Sequence, residues 1–254
     1  MKHGCILFDY GGTIAYRNVP VAVTDELFAE AAVKYLGSRG ITFDACALSE
    51  RISAVSKRFI EREEALNIDI PDLERFIDLS ATAFTGISEA ESRDIALNLN
   101  ELFWSMVEKA YSPLPGAHEV LEYVKHRSIR MGIVSNHHNG ASLRNWLKHS
   151  GMLSYFETVT VSSEVGCRKP DPRIFRMTLE KMDCEASLSL FVGDSPVMDV
   201  AGASAVGMKS VLTNQARILH CAEDMHPSVQ PDFIIGSLSE LRTVIDGIEF
   251  RSGF

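Results

Sequence analysis

Cys5-Ile6-Leu7-Phe8-Asp9-Tyr10-Gly11-Gly12-Thr13 opens the chain with four apolar residues, a carboxylate and a glycine turn. The run is short and does not alternate, which predicts a strand buried on both faces with Asp9 at its carboxyl tip. Five later runs share that character, at residues 129–134, 158–161, 188–192, 209–212 and 233–235. Helical patterns separate them. Pro115-Gly116 precedes Val120, Leu121 and Val124; Gly151 follows Trp146 and Leu147; Ser195-Pro196 and Gly207 bracket a helix of small residues. Pro is preset for a first turn, Ser accepts a bond from free amides, and Gly permits a left-handed exit. Strands joined through helices predict an α/β fold, a doubly wound parallel Rossmann-like sheet that binds ligand at its carboxyl strand ends.

Between residues 16 and 111 the alternation stops. Leu27, Phe28, Ala31, Ala32, Tyr35 and Leu36 share one helical face, and Ile52, Val55, Phe59 and Ile60 share another. Pro71 opens a third pattern with Leu73, Phe76, Ile77 and Phe84. Ser88-Glu89-Ala90-Glu91 has capping-box spacing before Ile95, Leu99, Leu102, Phe103 and Met106. The expected organisation is therefore an α/β core from residues 1–15 and 112–254, with an inserted all-helical cap at 16–111.

Across 254 residues the composition is 46% hydrophobic and 23% charged, which supports a packed core and excludes disorder as a description of the whole. A formal charge of −9 repels a phosphate backbone over most of the surface, so no nucleic-acid partner is expected. The apolar start is too short for a signal peptide and nothing approaches a membrane span, so a cytoplasmic protein with no membrane partner is expected. Cys5, Cys46, Cys167, Cys184 and Cys221 are odd in number and widely spaced. They read as reduced thiols, and Cys167 as a packed one despite Arg168 and Lys169 beside it. Oligomeric state is not written in the pattern.

Chemistry gathers at four positions. Asp9 ends the first strand; Ser135 ends Ile133-Val134-Ser135-Asn136; Lys169 lies in Gly166-Cys167-Arg168-Lys169-Pro170-Asp171-Pro172; Asp194 follows Phe191-Val192-Gly193. Moving a phosphoryl group to a carboxylate needs a nucleophile, a cation against anion repulsion, and donors for the phosphoryl oxygens. Together these segments resemble the four motifs of the haloacid dehalogenase-like hydrolases, mostly magnesium-dependent phosphatases, over essentially the whole chain. The resemblance implies Asp9 as nucleophile, Ser135 as phosphate-binding hydroxyl, Lys169 as the motif-three cation, and Mg2+ held by Asp9, the Gly11 carbonyl and Asp194. Asp199 stands as an outer partner of that metal or a residue facing its own helix. Gly12, Thr13 and Asn136 are expected near the phosphate, Thr13 either touching it or finishing the turn. His137 and His138 either meet substrate or face solvent.

The family's first motif is usually Asp-x-Asp-Gly-Thr, and here Gly11 replaces the second Asp. In most of the family that residue protonates the leaving oxygen and later activates water. A positioned acid or base contributes about 10² to 10⁴ in rate. Three routes stay open: an acid supplied by the cap, with Tyr16, Asp25 and Glu26 nearest in sequence; a substrate with a good leaving group, such as an acyl or aryl phosphate; or weak catalysis. The expected activity is hydrolysis of a small phosphorylated metabolite through an aspartyl-phosphate on Asp9. Alternatives are a phosphonatase-like hydrolase using Lys34, Lys57 or Lys109, a dehalogenase-like one, or a catalytically weak sensor that binds a phosphorylated ligand or a protein partner.

Overall fold

A computed structural model describes residues 3–216 and 230–250, so Cys221 lies outside the described residues. Strands β1 (Cys5–Phe8), β4 (Arg130–Ser135), β5 (Thr158–Val161), β6 (Leu190–Gly193), β7 (Lys209–Thr213) and β8 (Phe233–Ile235) form one parallel sheet in the order β5-β4-β1-β6-β7-β8. All six expected strands are present. Leu188 falls in a short 3-10 turn instead of β6. Ile6 and Phe8 enter the hydrophobic cluster on one face, Cys5 and Leu7 that on the other, and all four are fully buried. A strand with no solvated face has no place for a polar alternate, which is why its sequence reads as a continuous apolar run.

Because β4 and β6 flank β1, the chain changes direction across the sheet at β1, and the carboxyl tips of the three strands lie side by side. After β1 the turn is tight. Tyr10 O accepts the amides of Thr13, Ile14 and Ala15, and Gly12 N donates to Ala15 O at 2.7 Å. Gly12 has φ +80°, a conformation glycine adopts without steric cost.

The segment between holds α1 (Val21–Ser38), α2 (Ala45–Leu66), α3 (Asp72–Ala83) and α4 (Glu89–Lys109). Ser88 Oγ accepts from Glu91 N and caps α4, as the capping-box spacing predicts. Phe28, Leu36, Val55, Phe59, Phe76 and Leu99 build a separate hydrophobic cluster. Two residues depart from their expected faces: Leu27 is 52% and Ile60 47% exposed, the buried stripes running through Phe28–Leu36 and Val55–Phe59 neighbours instead. A two-stranded ribbon, β2 (Ala15–Arg17) against β3 (Tyr111–Pro113), was not legible in the sequence and joins the start and end of this segment. The helix after Ser195-Pro196 begins as a π-turn, Pro196–Val200, before α-helical Ala201–Ser204.

The helices meet the sheet through a buried ionic network. Arg75 reaches both carboxylate oxygens of Glu63 at 2.8 and 2.9 Å, and Glu63 also pairs with His138 at 3.1 Å. In the loop after α2, Asp69 pairs with Arg168 at 2.9 Å and accepts from Ser162 Oγ, while Asp72 N donates to His138 O at 3.1 Å. Glu63 and Asp69 are 4% and 3% exposed, so each charge depends on its partners for solvation. Asp69→Asn should therefore cost on the order of 3 kcal/mol, read as a lowered denaturation midpoint with unchanged slope.

Candidate functional site

At the tips of β1, β4 and β6 lies a cavity of about 190 Å3, lined among others by Asp9, Gly11, Ser135, Asn136, Lys169 and Asp194. Its centre is ionic. Lys169 Nζ bonds Asp9 Oδ1 and Asp199 Oδ1, each at 2.6 Å, and all three residues are buried. Burial opposes the ammonium charge of Lys169, but the Asp199 and Asp9 carboxylates outweigh it and hold the group above its ordinary range. Burial pushes the Asp9 carboxyl up to about 6 against the pull of Lys169, and Asp199 adds to the rise.

Two glycines make room for two acids. A Cβ on Gly12 would lie 2.2 Å from Asp194 Oδ2, and one on Gly193 would lie 2.3 Å from Asp199 Oδ2. Asp199 is further fixed by Ser195 N, which donates to its Oδ2 at 2.9 Å. Carboxylate oxygens of Asp9, Asp194 and Asp199 come within 4.8 Å of one another. An all-oxygen donor set in a cradle that admits no Cβ suits a hard divalent cation such as Mg2+. Asp199 has both oxygens engaged, Oδ1 by Lys169 Nζ and Oδ2 by Ser195 N.

Asn136 lines the cavity and also binds the main chain of Lys169. Its Nδ2 donates to Lys169 O at 3.0 Å and its Oδ1 accepts from Lys169 N at 2.8 Å. Each end of the amide thus makes one bond to the lysine's main chain, and Nδ2 keeps a second N–H. Neither Gly12 nor Thr13 lines the cavity; Thr13 is fully buried and its hydroxyl has no hydrogen-bond partner among the described residues. Ser135, 3% exposed, does line it.

Tyr16, Asp25, Glu26, Lys34, Lys57 and Lys109 are absent from the lining. Asp25 faces a separate cavity of about 370 Å3 among the helices, with Phe28, Arg75 and Phe103, which shares no lining residue with the strand-tip cavity. Cys167 is packed, and burial raises its thiol pKa.

Tyr10, Tyr111 and His137 are wall residues that the sequence pattern left out or left open. The rings of Tyr10 and Tyr111 lie 5.6 Å apart, those of Tyr10 and His137 6.0 Å, and Trp104 of α4 sits 4.8 Å from His137. His137 N donates to Ser162 Oγ at 3.0 Å, and its Nδ1 accepts from Asn139 N at 3.1 Å. That bond assigns the neutral imidazole's proton to Nε2. His138 is engaged in the Glu63 pair.

Comparison with known proteins agrees with this geometry. The haloacid dehalogenase-like hydrolase family model matches residues 49–213. Mouse haloacid dehalogenase-like hydrolase domain-containing protein 3 is 37% identical over 139 residues, 55% of this chain and 54% of that protein. The chain thus spans about half the length of that relative. Ribulose-1,5-bisphosphate 5-phosphatase of Halopiger xanaduensis is 26% identical over 243 residues, 94% of this chain and 98% of that protein. In fold, 2-haloacid dehalogenase from Pseudomonas syringae pv. Tomato superposes with TM-score 0.73 at 21% identity, covering 96% of this chain and 99% of that one. The chain belongs to the haloacid dehalogenase-like hydrolase family and is a hydrolase.

Two stability tests follow from the buried groups. Thr13→Val removes a hydroxyl that is desolvated without a partner, so thermal stability should hold or rise by up to about 1 kcal/mol. Burial lowers the His137 pKa to about 4, whereas an unfolded imidazole titrates near 6.5. Between those values the unfolded chain binds more protons, so the contribution of His137 to stability falls as pH falls through that window. Urea midpoints measured from pH 7 to 4 should decline less in His137→Gln than in the wild type.

Proposed function

We propose that this hydrolase is a magnesium-dependent phosphatase of a small phosphorylated metabolite, with Asp9 as its nucleophile. One observation carries the reading: Asp9 stands at a strand tip, 2.6 Å from the buried ammonium of Lys169, in one cavity with Ser135 and Asp194. In the reaction an Asp9 oxygen attacks phosphorus, the bond to the leaving oxygen breaks, and water later cleaves the aspartyl-phosphate. Lys169 keeps Asp9 ionised and offsets repulsion from the incoming dianion, Ser135 donates to a phosphoryl oxygen, and Asn136 keeps Lys169 in register. Asp9, the Gly11 carbonyl and Asp194 would hold Mg2+, whose charge lowers the cost of bringing two anions together.

The helices α1 to α4 serve as a cap in this reading, dividing the chain at 16–111, and exclude water when docked. Free thiols at Cys5, Cys46, Cys167 and Cys184 fit a cytoplasmic setting. Among the described residues no helix is long and apolar enough to cross a membrane. A phosphatase-named relative aligned over nearly its whole length supports the substrate class. The cavity's acid cluster favours a cation and a phosphoryl group over dehalogenation, and a phosphonatase reading lacks a cap lysine in the lining. Gly11, which cannot move a proton, favours one second reading, a sensor that binds a phosphorylated ligand without turnover.

With Mg2+ and a panel of alkyl, aryl and acyl phosphates, the wild type should release phosphate. Asp9→Asn should lose at least about 10³-fold in kcat/KM, and chelation should abolish turnover. Calorimetry that finds tight binding of a phosphorylated compound left intact for hours would instead establish the sensor.

A further inference from the structure

Gly11 is the one departure from the family's first motif, and the structure puts open space there. A Cβ built on Gly11 meets nothing within 4 Å, although Gly11 lines the catalytic cavity. Three ring residues share the cavity lining with it: Tyr111, His137 backed by Trp104, and Tyr10, which is 4% exposed and whose ring packs 5.6 Å from that of Tyr111. His137 cannot swing away cheaply, since its main-chain N–H is held by Ser162 and its Nδ1 by Asn139. Its remaining proton, on Nε2, has no hydrogen-bond partner among the described residues. The cavity, about 190 Å3 including the space among Asp9, Ser135 and Lys169 that a phosphoryl group takes, is open to solvent, so a ring need enter it only in part.

Resting on the phosphatase reading above, the geometry points to a phosphate monoester of a phenol or other planar ring hydroxyl as the substrate class. The ring occupies the space left by Gly11, against Tyr10, Tyr111 and His137.

The missing leaving-group acid and the aromatic wall then have a common explanation, while the water step, the same for every phosphate ester, runs without a carboxylate base at position 11. A phenol loses its proton near pH 10, like tyrosine, whereas an aliphatic alcohol, like water, holds its proton far more tightly. Phenoxide therefore leaves without first being protonated. The Asp9 carboxylate attacks phosphorus, the phosphorus–aryl oxygen bond breaks, and the electron pair departs on the aryloxide. Water then attacks the aspartyl-phosphate, both its protons leave on dihydrogen phosphate, and Asp9 returns as carboxylate. An acid at position 11 would occupy the ring's space and serve a leaving group that does not need it.

The test uses phenyl phosphate, acetyl phosphate and glycerol 3-phosphate with Mg2+ on the wild type, Gly11→Asn, Gly11→Asp and His137→Ala, each checked by circular dichroism and thermal melt. Acetyl phosphate has a good leaving group and no ring, so it separates ring recognition from leaving-group reactivity. In the wild type phenyl phosphate should be preferred to glycerol 3-phosphate by at least about 10²-fold. Gly11→Asn fills the space without supplying an acid, and should lower the phenyl-to-acetyl ratio of kcat/KM by about tenfold, chiefly through KM. Gly11→Asp should shift preference toward glycerol 3-phosphate. His137→Ala should lower the phenyl-to-acetyl ratio about two- to tenfold, the value of one aromatic contact. Phenylphosphonate, which has no scissile ester, should inhibit acetyl phosphate turnover more strongly than methylphosphonate. Equal inhibition by the two phosphonates, or phenyl-to-acetyl ratios that ignore both Gly11→Asn and His137→Ala, overturns the ring site while leaving the phosphatase reading intact. Failure to turn over any of the three phosphates overturns the phosphatase reading itself.

Discussion

The Lys169 ammonium between Asp9 and Asp199 is the constraint on which the rest depends. Three charges are buried within 2.6 Å contacts, and each would be costly alone. Their arrangement demands that β1, the loop before the helix Pro172–Lys181 and the π-turn after β6 meet at one point. The parallel sheet supplies that meeting because its order places β4 and β6 on either side of β1. Net charge at the centre is one negative from these three groups, before Asp194 is counted, so the site is prepared for a cation beside an anion rather than for an anion by itself.

Around that centre the surroundings act mainly by fixing positions. Asn136 clamps the lysine's main chain, Ser195 holds Asp199, and the His137–His138 segment is gripped by Asp69 of the loop following α2 through Ser162 and by the N–H of Asp72 at the start of α3. Groups that touch reacting atoms are few; those that hold them are many. This distribution is what preorganisation requires, because a misplaced charge in a low-dielectric site loses most of its value.

The strands and their tips were legible because burial on both faces leaves an unbroken apolar signature, as in Cys5–Phe8. Faces of the inserted helices were less so. Leu27 and Phe28 are sequence neighbours about 100° apart on a helix, and only the packing partner decides which is covered. The Ala15–Arg17 and Tyr111–Pro113 ribbon has three residues a side, too few to show alternation. Asn136 was read by proximity to Ser135, but its amide turns to a main chain 33 residues away, a contact no local pattern encodes. Tyr10 and Tyr111 lie far apart in sequence, and their approach depends on that same ribbon.

Gly12 and Gly193 give the site an unusual mutational profile. Each carries its information in an absent methyl group: the carboxylates of Asp194 and Asp199 occupy the volume that an alanine would take. Substitution by alanine is normally the mildest way to interrogate a position, yet here it would displace a carboxylate of the site. Alanine scanning would thus score two residues without side chains among the most sensitive positions in the chain, and a search confined to polar groups would overlook both.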